Sequence, residues 1–182
     1  IRIVLVLPES DISTWEKLAA AHQFNTPVII VKGGATRFQS VRNGLSAIPD
    51  EALVAIHDGV RPLVTPEIIR TSFELARDHG CAIAAVKLKE SLRVMEAGES
   101  DGGFTRAVDR SLYRVIQTPQ TFRAVLIKKA YEVEEDDTLT DDASVAEKAG
   151  IPVILFEGHY NNIKITNRED LVIAEALMGQ PG

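Results

Sequence analysis

Cysteine is almost missing from this chain. Cys81 is the only one among 182 residues, so no intrachain disulfide forms and no thiolate cluster holds a metal. A lone thiol fits a reducing compartment, and a cytoplasmic location is expected. Long apolar runs are missing too. No stretch approaches the roughly 18 residues that span a bilayer, and no secretory leader is seen, so no membrane partner is expected. Positive charge is not in excess: the formal net charge is −6. That leaves no broad basic footprint, so nucleic acid is not expected as a partner, while a local basic site for a small anion stays open. Internal repeats and low-complexity tracts are absent. So are a Gly-x-Ser-x-Gly elbow and any Ser/His/Asp arrangement, which removes support for hydrolysis. Finally, Ile1 stands without an initiator methionine inside an apolar β-branched run, and a segment upstream of this numbering is expected.

What is present is the composition of an ordinary globular domain, 45% hydrophobic and 25% charged. The length suits one domain over 1–182 with a core able to stand without disulfides. Apolar strands alternate with helical spacing. Ile1 to Leu7 reads as a buried strand stopped by Pro8, and Ser13 or Thr14 as the cap of a short helix. Pro27 to Val31 is a second strand, followed by Gly33-Gly34 and a helix with Phe38, Val41, Leu45 and Ile48 on one face. Ala52 to Ile56 is a third strand. Thr65-Pro66-Glu67 is a strong helix start, with Gly80 as its stop. Cys81 to Val86 is a fourth strand.

The period then breaks. Short strands from Lys87 to Arg114, around a turn from Glu96 to Gly103, predict a hairpin arm standing off the sheet. Thr121 to Val133 and Asp141 to Lys148 read as helices and Pro152 to Phe156 as a strand. A short extended segment follows over Asn161 to Thr166, and Asn167 caps a last helix, Arg168 to Met178. The expected fold is α/β: a Rossmann-like, open, twisted, mostly parallel sheet with helices on both faces and a protruding arm over 87–114. In such sheets ligands sit beyond the carboxyl ends of the strands.

Chemistry-bearing residues collect at those ends. Gly33-Gly34 allows close backbone approach, and the following helix start offers N–H groups to an anion or a base edge. A plain strand-to-helix turn capped by Thr36 explains the same residues. Asp58, after the third strand, suits a metal ion or a sugar hydroxyl, and Arg61 a phosphate. An Asp–Arg pair closing the loop is the alternative. His57 reads as a packed, hydrogen-bonded histidine rather than a general base. Arg110, Thr118 and Lys164 each suit a phosphate, but taken alone they read more simply as an edge charge, a turn residue before proline and a snorkelling lysine, respectively. Asp136, Asp137, Asp141 and Asp142 resemble a metal cluster, but acids before a helix more simply cap it.

Together, Gly33-Gly34 with Arg37 and Ser40, the block Val54-Ala55-Ile56-His57-Asp58-Gly59-Val60-Arg61-Pro62, Val108-Asp109-Arg110, Gln117-Thr118-Pro119-Gln120, Thr140-Asp141-Asp142-Ala143-Ser144 and Asn162-Ile163-Lys164-Ile165-Thr166 form an ordered set. In order and spacing it resembles the 2-C-methyl-D-erythritol 4-phosphate cytidylyltransferases over essentially the whole chain. The resemblance implies a nucleotidyl transfer from CTP, with Mg2+ or another divalent cation, to a polyol phosphate. It implies nucleotide contacts from Gly33, Gly34, Ser40, Asp58 and Gly59, with Arg37 supporting the loop. Asp58 is also the implied metal residue. Arg110 and Lys164 hold the acceptor phosphate for attack, and Asp58, Arg61, Ser91 and Thr118 help bind it. The arm implies a homodimer in which Arg110 and Ser91 complete the partner's site. Two departures stand out. Ile1 corresponds to a strand after the family's opening strand and glycine-rich loop, and Asn161 stands where an acid is common. The rival readings are a ribitol-5-phosphate cytidylyltransferase and a non-catalytic nucleotide-binding domain.

Transfer of this kind needs no strong base, because the nucleophile is already an anion. The barrier lies in bringing anions together and stabilising charge that builds in line. Cations do that, which is why arginine and lysine carry the expectation.

Overall fold

The structure is a computed structural model that describes residues 1–95 and 104–179. The expected turn from Glu96 to Gly103 lies outside the described residues. The strands are β1 (Ile3–Leu7), β2 (Val28–Lys32), β3 (Leu53–Ile56), β4 (Cys81–Lys87), β5 (Arg93–Met95), β6 (Thr105–Ala107), β7 (Arg114–Arg123) and β8 (Leu155–Glu157). The helices are α1 (Glu9–Ala21), α2 (Arg37–Leu45), α3 (Pro66–His79), α4 (Ala124–Ala130), α5 (Asp142–Lys148) and α6 (Arg168–Met178).

Local chemistry sets several boundaries where the sequence predicts them. Thr65 accepts the Ile68 N–H, Pro66 opens α3, and Gly80 closes it at φ 94°, its N–H bonding the Ala76 carbonyl. Capping boxes at Asp141/Ser144 and Asn167/Asp170 open α5 and α6. Other boundaries differ. The first helix starts at Glu9, directly after Pro8 and without a side-chain cap, rather than at Ser13 or Thr14; Glu9 and Asp11 supply acids to its first turn. Ile48 lies beyond the end of α2. The strand expected over Pro152 to Phe156 pairs only from Ile154 onward, where its carbonyl accepts the Ile83 N–H at 2.9 Å. Asn161 to Thr166 forms no strand.

The largest correction concerns β7. Thr121 to Arg123, expected to be helical, continues a ten-residue strand, and the helix begins at Ala124. Strand β7 lies between β3 and β4 and is antiparallel to both, with Ala55 opposite Thr121 and Cys81 opposite Phe122. Two neighbours offering backbone partners on both edges override a weak local helix preference. The sheet order is β3-β7-β4-β8, with only β4 and β8 paired in parallel; β1 and β2 form a separate parallel pair. The described sheet is therefore mixed rather than mostly parallel.

Alternation along β7 separates two helical layers. The Thr121 hydroxyl donates to Ser72 of α3 at 2.8 Å on one face. Phe122 points the other way, into the core with Phe38, Leu45, Ile127, Tyr131 and Val145. Within the range expected to form the arm, β5 and β6 pair antiparallel, with Val94 opposite Arg106.

One irregularity interrupts the sheet. Ile83 pairs with Gln120, but Ala85 pairs with Ile116, so Gln117, Thr118 and Pro119 stand opposite Ala84 alone. This bulge tolerates a proline that a regular central strand would not. It also frees Gln117 and Thr118 from the ladder to face the loops beyond the ends of β3 and β8.

Candidate active site

The loop leaving β3 is closed by a hydrogen-bonded circuit. The Asp58 N–H donates to Thr118 Oγ1 at 3.1 Å. His57 Nε2 lies 3.1 Å from the Arg61 carbonyl oxygen, which only accepts, so Nε2 carries the proton. Its Nδ1 then accepts from the Thr118 hydroxyl at 2.9 Å. Desolvation of the ring holds His57 below the ordinary histidine value, in keeping with this neutral form. His57 is thus hydrogen-bonded through both ring nitrogens, but it is exposed where its sequence context suggests a packed residue. Thr118 is almost fully buried. It spends its proton on His57 and one lone pair on Asp58, so it shapes the loop more than it reaches outward.

That circuit aims Asp58 and Arg61 at one another. Arg61 Nε is 3.2 Å from Asp58 Oδ2, and Arg61 Nη1 donates to the Asn162 carbonyl at 2.8 Å. Lys164 Nζ reaches the same Asp58 Oδ2 at 3.4 Å. Both Asp58 and Arg61 are mostly buried, whereas the Lys164 side chain is 47% exposed. Lys164 arrives through the 158–164 loop, which β7 and β4 hold in place. Gln117 donates to the His159 carbonyl at 3.0 Å and accepts the His159 N–H at 3.3 Å. Asn162 donates to the Thr118 carbonyl at 2.8 Å. Glycine at 158 leaves room for this contact, because a Cβ would lie 2.4 Å from the Gln117 amide oxygen and displace it. Gln117 and Asn162 build the site, although neither carries a role expected from sequence. Both stand in segments that carry the family resemblance, Gln117-Thr118-Pro119-Gln120 and Asn162-Ile163-Lys164-Ile165-Thr166.

Two hollows meet at this cluster. The first, about 200 Å³, is lined by Arg37, Asp58, Arg61, Gln117, Thr118, Gln120, Asp141 and Lys164, with Ile116 and Thr140. The second, about 380 Å³, shares Arg61, Gln117 and Lys164 and adds Lys87, Lys89, Tyr160, Asn162, Val86, Val115 and Ile163.

Arg37 borders the first hollow but is committed inward. It makes a two-pronged contact with Asp142, at 3.2 and 2.6 Å, and Tyr131 donates to the same carboxylate at 2.6 Å. Burial, and then the neighbouring Asp142 charge, push the Tyr131 phenol well above its ordinary range. Burial opposes charge on Arg37, yet the Asp142 contacts hold its pKa above the usual value. Asp142 is fully buried and fully paired. Asp141 caps α5 with one oxygen and accepts from Gln120 with the other. Asp136 takes Lys148 and Thr138. Their contacts make Asp141 a cap and Asp136 and Asp142 ion-pair partners; among the described residues no group of three or more His, Cys, Asp or Glu is placed to hold a metal ion.

The Gly33-Gly34 turn is also more self-contained than expected. The Gly33 N–H bonds the Leu7 carbonyl, the Gly34 N–H bonds Ser40 Oγ at 3.0 Å, and the Ala35 N–H bonds the Gln39 side chain. Ser40 in turn donates to the Thr36 carbonyl at 2.8 Å. A Cβ at Gly34 would meet that of Gln39 at 2.3 Å, so the turn closes only with glycine there. These N–H groups are occupied rather than offered to an anion. Gly33, Gly34, Ser40 and Gly59 line neither hollow.

Arg110 and Ser91 are exposed on the arm and also line neither hollow. Arg110 Nη1 donates to the Lys89 carbonyl at the arm's base. Within one chain the structure therefore brings together Asp58, Arg61, Thr118, Lys164 and Arg37, and leaves Arg110 and Ser91 apart.

The model of the IspD family, 2-C-methyl-D-erythritol 4-phosphate cytidylyltransferase, matches residues 1–180. A protein of that name from Bacteroides thetaiotaomicron is 44% identical over 178 residues, covering 98% of this chain and 79% of the relative. One from Porphyromonas gingivalis is 45% identical over 177 residues, covering 97% and 78%. The crystal structure of 4-diphosphocytidyl-2C-methyl-D-erythritol synthase from Anaerococcus prevotii is similar with a TM-score of 0.84 at 29% identity, over 98% of this chain and 79% of that one. The cytidylyltransferase from Thermus thermophilus is similar with a TM-score of 0.76 at 30% identity, over 97% and 82%.

Proposed function

Because the chain belongs to the 2-C-methyl-D-erythritol 4-phosphate cytidylyltransferase family, we propose that the junction of its two hollows is where acceptor phosphate meets CTP. The activity is that of a CTP-dependent cytidylyltransferase of the non-mevalonate isoprenoid pathway. It joins CTP to 2-C-methyl-D-erythritol 4-phosphate, giving 4-diphosphocytidyl-2-C-methyl-D-erythritol and pyrophosphate.

The observation that carries the site assignment is the meeting of Arg61 and Lys164 on one Asp58 oxygen, at 3.2 and 3.4 Å, where the hollows join. The nucleotide takes the first hollow, beside Arg37 and Asp58. The acceptor takes the second, whose apolar side chains suit its carbon chain. An acceptor phosphate oxygen attacks the α-phosphorus of CTP in line, and pyrophosphate leaves. Lys164, half exposed and only loosely paired, turns from Asp58 to the phosphate as it arrives. Arg61 keeps its backbone and carboxylate contacts and supplies fixed positive charge. Cations already in place cost no reorganisation as charge builds, and this is worth more than the same contacts in water.

Asp58 is the residue that would hold a magnesium ion. Its Oδ1 takes no hydrogen bond from any described residue, and magnesium sites on nucleotides commonly use one or two carboxylates with phosphate oxygens and water. Bound there, the ion supplies positive charge to the triphosphate. Gly33, Gly34, Ser40 and Gly59 act on the nucleotide through the shape of their loops.

Arg110 and Ser91 complete a second copy's site across a homodimer formed by the arm. The arm exposes Met95, Phe104 and Leu112, apolar surface that a second copy would cover. The reaction is assigned to the cytoplasm. No helix among the described residues is long and apolar enough to cross a membrane.

The test is pyrophosphate release by the full-length protein from CTP with 2-C-methyl-D-erythritol 4-phosphate and, in parallel, with ribitol 5-phosphate. Turnover with the first and not the second is expected. The reverse selects the ribitol enzyme, and CTP binding without turnover on either selects a binding module.

A further inference from the structure

The second hollow contains two cations that the transfer chemistry leaves unused. Its lining carries Arg61, Lys87, Lys89 and Lys164 and no acid. Arg61 and Lys164 are answered by Asp58, but Lys87 and Lys89 pair with no carboxylate among the described residues. Lys89 is nonetheless held in a definite place. Its ammonium sits 3.7 Å from the centre of the Tyr160 ring. The Tyr160 hydroxyl donates to the Lys87 carbonyl at 3.0 Å, which fixes the ring against the end of β4. The same loop is tied down by the Gly158 N–H to the Ala85 carbonyl at 2.8 Å and by Gln117. On its other side, the Lys89 carbonyl accepts from Arg110 at the base of the arm.

We propose that Lys89, seated on Tyr160, is an acceptor-binding residue that holds the phosphate-bearing end of the polyol in the second hollow. This rests on reading that hollow as the acceptor's. A lysine is a flexible point charge, and holding it in place spends rotamer entropy that an empty solvent-facing position would leave free. An aromatic face attracts the ammonium without neutralising it. Tyr160 therefore orients Lys89 while leaving its full charge for an anion, which a carboxylate partner would not do. The Arg110 contact ties the Lys89 backbone to the segment between β6 and β7.

The experiment measures binding of 2-C-methyl-D-erythritol 4-phosphate by calorimetry without CTP. It uses the full-length protein, Lys89→Met, Lys89→Arg, Tyr160→Phe and Tyr160→Leu, with inorganic phosphate as a second probe. Losing one charge-assisted contact should weaken acceptor binding about 10-fold in Lys89→Met. Lys89→Arg keeps charge and ring contact and should stay within about 2-fold of the parent. Tyr160→Leu should fall between these, and Tyr160→Phe close to the parent. CTP affinity should not change in Lys89→Met. Unchanged acceptor affinity in Lys89→Met overturns the proposal, and so does an equal loss for CTP, which marks a general field effect. Turnover by the parent is a separate arm. If it is absent, the activity reading fails, while a Lys89→Met deficit toward inorganic phosphate still upholds an anion-binding role for Lys89.

Discussion

The two hollows share a wall but differ in how their charges are answered. Around the first, cations meet acids: Arg37 on Asp142, Arg61 and Lys164 on Asp58. Around the second, Lys87 and Lys89 face an apolar lining and an aromatic ring with no acid among the described residues. The first is a preset electrostatic frame, and the second is a basic recess completed by what enters it. Rigid geometry belongs where bonds break, since preorganised charge is what lowers the barrier. Uncompensated charge belongs where an anionic substrate must be drawn in and retained.

That contrast can be broken from either side. The largest effect is expected at Asp142. Replacing it with alanine leaves Arg37 without its buried partner and Tyr131 without its acceptor, and should cost about 3–5 kcal/mol of stability. Urea unfolding would show this as a shifted midpoint, and a loss below about 1 kcal/mol would mean that the frame is not held by this pair. Next comes Lys164→Ala, expected to lower kcat by about 10²-fold with little change in stability, because the side chain is half exposed. Single-turnover kinetics separate this from a binding loss. Smaller is Thr118→Val, which keeps shape but leaves the Asp58 N–H and His57 Nδ1 without their shared partner. It should cost about 1–3 kcal/mol of stability and raise the KM for CTP more than that for the acceptor, through a loosened Asp58 loop. Thr118→Ser, which restores the hydroxyl, should recover most of both.

Legibility in the sequence followed the distance between cause and effect. Helix α3 could be read because Thr65, Pro66 and Gly80 act within a turn of their own positions. The ends of α5 and α6 were readable for the same reason. Strand β7 was not, since Pro119 reads as a breaker and its tolerance depends on a bulge opposite Ala84 in a distant strand. The meeting of Asp58, Arg61 and Lys164 followed from the ordered resemblance, not from any single residue, each of which had a structural reading at least as good. Gln117 and Asn162 went without roles because their partners, the His159 carbonyl and the Thr118 carbonyl, are visible only after folding. The contacts of Ser40 and Arg37 were not legible either. One bonds back to Thr36 and Gly34, and the other crosses to Asp142.

The central claim is that acceptor phosphate is gripped where the two hollows join. A crystal structure of the full-length protein with CTP and 2-C-methyl-D-erythritol 4-phosphate tests it most directly. The expected result is an acceptor phosphate within hydrogen-bond distance, about 3 Å, of Lys164 Nζ, with Arg61 and Lys89 flanking it and the polyol lying over the apolar side chains of the second hollow. An acceptor phosphate bound away from Lys164 and Arg61, with both still closed on Asp58, would contradict it.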